Sequence, residues 1–249
     1  MIVESLTRRV AAALRVVDGV TGQPILSPLS VGGAGTVWVR NRRGLYVLME
    51  MPGLGRYQDA LSSPPASPSV GSLNTVVEVH DMGATYLPRR QSLRLPRDPD
   101  PAHAGDGGSV FQPIESRLYL SPSAPTSSAW AVIRATIVRE GNQQSLGGAL
   151  IRVLRTSDGQ ALARGLSDSR GEALVAVPGI PVTTWEGSSG PLLGTEVDVQ
   201  VEVVVDPAAG NVPDPDALEA NRGLLPNRQR AMKLASGRTE ACLVTVAIP

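Results

Sequence analysis

The sequence is poor in the residues on which much protein chemistry depends. Its 249 residues include one cysteine, one lysine, two histidines and eight aromatic side chains. A lone cysteine, Cys242, cannot form a disulfide within its own chain and is expected to be a small buried apolar residue. The scarcity of Cys and His excludes a zinc cluster. With Lys233 as the only lysine, lysine-dependent catalysis is excluded from most of the chain.

Charge and hydropathy exclude two classes of partner. The chain balances 23 basic against 23 acidic residues and has no long basic run, so nothing attracts nucleic acid or an anionic membrane surface. The apolar stretch within residues 1–19 is too short for a signal peptide. No segment approaches the roughly 18 uninterrupted apolar residues of a membrane helix. We therefore expect no nucleic-acid partner, no membrane insertion and residence in the cytoplasm.

The chain is rich in glycine, proline and short apolar runs. Its composition is 42% apolar, with 26 glycines and 21 prolines. Because few aromatics are present, the cores must consist mainly of Val, Leu, Ala and Ile, which suit pleated surfaces. Short runs of this kind between turn residues predict an all-β protein.

One motif occurs twice. Gly22 and Gly44 are 22 positions apart, and Gly148 and Gly171 are 23 positions apart. In each copy the second glycine lies three positions after a polar turn residue, which is Asn41 in the first copy and Asp168 in the second. Both copies then end on Pro-Gly, at 52–53 and at 178–179. This spacing predicts one module used twice.

The pattern divides the chain into three segments. We predict β-sandwich modules over 1–120 and 121–205, and an extension over 206–249 made of a loop, a helical turn at 215–221 capped by Asp214 or Asp216, and a hairpin of 229–235 with 240–248. The strand at 196–205 alternates so regularly that one face, bearing Glu196, Asp198, Gln200 and Glu202, should be solvated. The extension packs either on its own chain or on a neighbouring subunit.

Candidate catalytic residues are sparse. His80 lies beside Asp81, but neighbours on a strand point to opposite faces, so a structural histidine is the favoured interpretation. His103 lies in a loop rich in Pro, Asp and Gly and is expected to be solvated. Ser188, within 187–190, lacks the spacing of a hydrolase nucleophile turn. The glycine-rich stretches 32–35 and 105–108 lack the lysine and the strand-to-helix context of a phosphate loop. We predict no catalytic residue and no enzyme.

The acidic loops and the tryptophans offer two candidate binding functions. Two sets of aspartates could supply carboxylate oxygens as calcium ligands, but their spacing differs from that of a helix-loop-helix calcium site. These sets are Asp98, Asp100 and Asp106, and Asp206, Asp214 and Asp216. A carbohydrate or other ligand site would require exposed indoles at Trp38 and Trp185. We predict no metal and no cofactor, and keep ligand or carbohydrate binding as the alternative function.

The second module resembles a known family. Residues 133–138, 146–153 and 165–174 are similar to the carboxypeptidase regulatory-like, or prealbumin-like, β-sandwich, in which a Gly-Ala strand precedes a turn with Asp and Gly. The first module resembles it too, with Asn41 in the place of Asp168 and 77–88 resembling the final strands. The resemblance implies two Ig-like or prealbumin-like sandwiches without catalytic residues. Pilus relatives contain Lys–Asn bonds, which Lys233 alone cannot supply to both modules.

The arrangement of two such modules with the acidic, proline-rich segment 213–221 also resembles accessory proteins of phage-tail-like contractile injection systems. This implies a non-enzymatic structural protein, present in the cytoplasm or within an assembled or released particle. Its partners would be other protein subunits in a symmetric oligomer.

Overall fold

The structure is a computed structural model that describes residues 10–55, 57, 67–181, 196–210 and 212–248. Regular structure in these residues is nearly all β-strand, which confirms the predicted fold class. The strands are β1 (Ala13–Asp18), β2 (Leu29–Gly32), β3 (Val37–Arg40), β4 (Tyr46–Glu50), β5 (Leu73–Asp81), β6 (Arg89–Leu95), β7 (Ile114–Leu118), β8 (Ala131–Arg139), β9 (Leu150–Arg155), β10 (Ala161–Leu166), β11 (Glu172–Val177), β12 (Val197–Val204), β13 (Asn227–Leu234) and β14 (Thr239–Val246). A 3-10 turn (Pro101–His103) and a short helix, α1 (Pro215–Ala220), accompany them.

The chain forms two compact units. The first contains residues 10–18, 22–82 and 90–117, and the second contains 19–21, 83–89 and 118–248, omitting the residues not described. The units are therefore interleaved in sequence, unlike the three consecutive segments of the prediction. Each unit has its own apolar core.

Within its described residues, the second unit is a sandwich of seven strands. One sheet has the order β10-β9-β12-β13 and the other the order β11-β8-β14. The pairing of β14 with β8 is parallel, whereas β9, β10, β11, β12 and β13 pair antiparallel with their neighbours. Alternate residues of both sheets, such as Ile133, Val153, Val201 and Val244, are buried between them. This alternation is what a strand with one buried face requires.

The described part of the first unit is also a sandwich of seven strands. Its sheets have the orders β3-β4-β1-β7 and β2-β5-β6. Leu14, Leu48, Val79 and Leu95 are among the buried side chains. The Tyr46 hydroxyl on β4 accepts a hydrogen bond from the backbone amide of Leu29 on β2 at 3.0 Å, which links the two sheets.

The two units share a strand order that differs in one strand. Numbered within each unit, the sheets of the first are 3-4-1-7 and 2-5-6, and those of the second are 3-2-5-6 and 4-1-7. Only the third strand changes its sheet: β3 lies beside β4, whereas β10 lies beside β9. Common order around a single exchanged strand supports a module used twice.

The repeated turn is built identically in both units. The Asn41 Oδ1 accepts from the amides of Arg43 and Leu45, at 2.9 and 3.0 Å. At the matching positions the Asp168 Oδ1 accepts from the amides at 170 and 172, at 2.9 and 3.0 Å. Gly44 and Gly171 have φ angles of +79° and +74°, which side-chain-bearing residues rarely adopt. The predicted correspondence of Asn41 with Asp168 is confirmed.

The C-terminal residues differ in one respect from expectation. α1 is capped by Asp214, as predicted. β13 and β14, however, belong to different sheets, pairing with β12 and β8, instead of forming a hairpin with each other. Leu234 and Val244 both face the core, from opposite sheets, so the connection between the strands must cross from one sheet to the other. These residues therefore pack on their own chain.

Candidate functional site

The first candidate is a groove of about 360 Å³ on the β2-β5-β6 sheet of the first unit. It is lined in part by Ser30, Glu78 and His80. Ser30 is the register partner of His80, so the structure brings a serine, a histidine and a carboxylate together. Asp81, the neighbour considered from the sequence, is not the partner; the His80 Nε2 is 3.3 Å from the Glu78 Oε2, two residues away on the same face.

The chemistry of this trio is weak. Arg90 donates from its Nε to the Glu78 Oε1 at 2.7 Å. Hydrogen bonds from Arg90 first and His80 second hold the pKa of Glu78 below its usual value. Glu78 is therefore shared between Arg90 and His80 and does not serve the histidine alone. His80 is also 41% exposed, and no hydrogen bond joins it to Ser30 in the described part of the chain. The groove has the residue types of a hydrolase without the necessary geometry.

The acidic loop around 98–106 is organised by its own backbone. The Asp98 Oδ1 accepts from the amide of Asp100, and the Asp100 Oδ1 accepts from the amide of Ala102, each at 2.9 Å. The Asp98 Oδ2 lies 2.7 Å from the His103 Nδ1. The hydrogen bond to Asp98 raises the pKa of His103, and the Asp100 amide and His103 lower the pKa of Asp98. Two carboxylates that calcium would need are thus hydrogen-bonded within the loop.

The other acidic set is divided between a turn at Asp206 and the start of helix α1. The Asp206 Oδ1 accepts from the amide of Ala208 at 2.9 Å, and the Asp214 Oδ1 caps α1 by accepting from the amides of Asp216 and Ala217, at 3.1 and 3.2 Å. The Asp216 Oδ2 is 2.6 Å from Arg89, whose side chain is 1% exposed. Three His, Cys, Asp or Glu side chains do not converge on a metal-sized site anywhere within 10–55, 57, 67–181, 196–210 or 212–248.

Glu219 of α1 joins two arginines of the sheet below it. Arg164 donates from both Nε and Nη2 to this carboxylate, at 2.8 and 2.7 Å. The Arg152 Nε is 3.2 Å from the Glu219 Oε1, an ion pair without hydrogen-bond alignment. Arg152 also donates from Nη1 to Glu202. Burial alone would raise the pKa of Glu219, but the hydrogen bond from Arg164 and the nearby arginine charges leave it below its usual value.

Apolar contacts complete the attachment of α1. Leu218 packs into a cluster with Tyr119, Leu150, Leu166 and Val204. Burial is the largest influence on the Tyr119 hydroxyl, and it raises the pKa of that group. A six-residue helix is too short to be stable alone, so these contacts and the ion pairs determine its position.

The α1 attachment corrects the predicted solvated face of β12. Glu202 is 8% exposed and pairs with Arg152, which also contacts Glu219 of α1, and Gln200 is half-buried. Glu196, just before β12, and Asp198 are exposed near Lys233, whose Nζ is 3.4 and 4.0 Å from their carboxylates. Strand alternation identified the polar face of β12. No sequence signal, however, indicated that α1, which begins 11 residues after β12, would be attached to that face.

The tryptophan predictions have different outcomes. Trp38 is half-buried, packs against the core of the first unit and donates from Nε1 to the Thr36 Oγ1 at 3.1 Å. It is therefore not a flat exposed platform for sugar. Trp185, and Ser188 in the 187–190 loop, lie outside the described residues.

Cys242 is buried in the core of the second unit at 2% exposure. Burial raises the pKa of its thiol, and the charge of Arg230 opposes this. Because a buried, protonated thiol is a poor nucleophile, we expect native protein to react with a disulfide reagent at a rate set by unfolding. Titration with 5,5′-dithiobis(2-nitrobenzoate) should show one thiol in denaturant and almost none under native conditions. Rapid native labelling would contradict the packing at β14.

The fold and these sites define an all-β protein of two β-sandwiches, with an acidic helix fixed to the second. None of the helices in the described residues has the length and apolarity needed to cross a membrane. Neither the family models nor the curated proteins include a match to this chain.

Solved structures with some similarity are known. The Bacillus anthracis TIE protein is 11% identical over 96% of this chain and 34% of that chain, with a TM-score of 0.29. BcpA, the major pilin subunit of Bacillus cereus, is 11% identical over 96% of this chain and 60% of its own, with a TM-score of 0.27. A double mutant of the shaft pilin SpaA from Lactobacillus rhamnosus GG is 10% identical, with coverages of 70% and 62% and a TM-score of 0.25. This chain thus spans only part of each, and its fold assignment rests on its own sheets.

Proposed function

We propose that this protein is a non-enzymatic scaffold whose sandwiches contact other protein subunits. The observation that carries the proposal is that charged groups suited to chemistry are already in structural ion pairs, while large apolar side chains stand exposed. Glu78 is bonded to Arg90, Asp98 to His103 and Asp216 to Arg89. By contrast, apolar side chains on two neighbouring strands of the first unit are exposed together, at Val37 (45%), Val39 (50%) and Met49 (38%).

The finer proposal is an accessory role in a phage-tail-like contractile particle, assembled in the cytoplasm. It is supported by the resemblance of the doubled carboxypeptidase regulatory-like module and of the acidic segment at 213–221. The attachment of α1 through Arg89, Arg152 and Arg164 suits a load-bearing part because it holds a short helix rigidly on a sheet.

The test is co-purification of the tagged full chain, expressed from its native locus, with the products of neighbouring genes. We expect defined proteins to be retained at fixed ratios and to include tube, sheath or baseplate components. The matched comparison is Leu224→Asp, which places a charge on the most exposed apolar turn without touching a core. A chain that is monomeric and retains no neighbouring product would overturn the scaffold proposal. Retention of unrelated products would overturn only the particle assignment.

A further inference from the structure

An exposed apolar stripe lies at the edge of one sheet of the first unit. β3 is the terminal strand of the order β3-β4-β1-β7, so its outer side has no neighbouring strand in the described chain. Val37 and Val39 of β3 are 45% and 50% exposed, whereas Trp38 between them packs against the core. β3 therefore offers both unpaired backbone groups and apolar side chains at the same edge.

The stripe continues across the next strands. Val39 is the register partner of Val47, and Val47 is the partner of Ala13 on β1. Val47 and Ala13 are half-buried, and Met49 on β4 is 38% exposed. We call Val37, Val39, Val47 and Met49 the valine stripe. Its continuity across two strands distinguishes it from the isolated exposed side chains that proteins ordinarily have.

Two other edge strands of this protein, β13 and β7, carry the charges that usually prevent strand pairing. β13, at the edge of the second unit, exposes Arg228, Arg230 and Lys233. β7 exposes Glu115 and Arg117. Charged residues on an edge discourage association with another strand. The two outward positions of β3 are instead both valine.

The charges near β3 stand at its two ends and have opposite sign. Glu50, exposed, is the register partner of Val37 at the start of β3. Arg42 and Arg43, also exposed, lie in the turn that follows the strand. A two-fold axis at Trp38 would put each copy's Arg42 and Arg43 at the same end of the paired strands as the partner's Glu50, which has the opposite charge. The edge is therefore self-complementary in charge and apolar in its middle.

We propose that β3 pairs antiparallel with β3 of a second copy of this chain, about an axis at Trp38. In this register Val37 lies opposite Val39 of the partner copy, and the two four-stranded sheets become one of eight strands. The inference deepens the proposed scaffold function by naming one partner and one surface.

Sedimentation velocity across a concentration series tests the pairing with three full-length proteins: wild type, Val39→Lys and Val76→Lys. Val76 is the matched control because it is 43% exposed but lies on β5, which has a strand on each side. We expect a wild-type dimer, the same dimer for Val76→Lys, and self-association weakened at least about tenfold for Val39→Lys, since an edge lysine opposes strand pairing. A wild-type monomer throughout, or a dimer unaffected by Val39→Lys, would overturn the inference.

A second measurement fixes the register. In a Val37→Cys/Val39→Cys variant, mild oxidation should link the copies through residues 37 and 39 in the dimer, and Cys242 is buried and does not compete. Links absent from the dimer fraction would refute this register. A monomeric chain that still retains neighbouring gene products would overturn the β3 pairing but not the scaffold proposal. A β3 dimer that retains no such products would support self-association and count against the wider assembly.

Discussion

Gly171→Ala is expected to destabilise the second unit by about 3 kcal/mol or more, because two costs add at this turn. The φ of +74° disfavours any side chain. In addition, a Cβ there would lie 2.4 Å from the carbonyl oxygen of Ile137, so the backbone itself would have to move. The measurement is urea unfolding followed by the reactivity of Cys242, which reports on the second unit.

Gly44→Ala is the matched control supplied by the repeat. Its φ of +79° imposes the same conformational cost, but the nearest atom to a Cβ is the end of the Arg40 side chain at 3.7 Å. We expect a loss of only about 1 kcal/mol, confined to the first unit. Equal losses in the two variants would contradict the tight approach of β8 to the 168–172 turn.

Glu219→Gln is expected to loosen helix α1 and to lower the free energy of unfolding by about 1–3 kcal/mol, because Arg152 and Arg164 lose the charge that both contact. Hydrogen exchange should show the effect most clearly at the amides of Leu218 and Asn221, which bond within the helix. Urea unfolding gives the overall loss.

The pH dependence follows from the lowered pKa of Glu219. A carboxyl group with a lower pKa in the folded state stabilises the fold above its ordinary value of 4.5, and this contribution disappears as the pH falls through the lowered value. The wild type should therefore lose more stability than Glu219→Gln on acidification below 4.5. Parallel curves for the two proteins would refute the role of this carboxylate.

Glu172→Gln provides the control for a surface carboxylate. Glu172 is 48% exposed and pairs with Arg170, which is 69% exposed. Exposed pairs of this kind contribute within about 1 kcal/mol, so neither stability nor its pH dependence should change much. A loss as large as that of Glu219→Gln would show that burial at α1 is unimportant.

Local signals in the sequence determined much of the fold. Val199, Val201 and Val203 alternate with polar residues, and they are the buried side of β12. Asp158-Gly159, between β9 and β10, is a residue pair typical of hairpin turns, and Gly159 has a φ of +70°. These features depend on residues within a few positions of each other, so strand periodicity and turn preferences are sufficient to find them.

The sites could not be predicted in the same way because they depend on distant pairings. Arg89 and Asp216 are 127 positions apart, and Arg152 and Glu202 are 50 apart. The residues next to a glutamate and an arginine on separate strands do not indicate that the two side chains will form an ion pair. Likewise, the sequence identified His80 but not its nearer partner Glu78, although the two share a strand face. It also could not predict the strand register that places Ser30 opposite His80.

The exchange of the third strand between sheets has a consequence for assembly. In the first unit β2 ends one sheet and β3 the other, whereas the equivalent of β2 in the second unit, β9, lies inside its sheet between β10 and β12. Two copies of one module therefore present different borders to a neighbour. Identical borders on both halves would allow head-to-tail addition without limit, which produces open fibres. Joining through the β2 border is confined to the first unit, because β9 is flanked on both sides, whereas β10, the equivalent of β3, is again a sheet edge. A two-fold pairing of β3 with β3 would close after two chains.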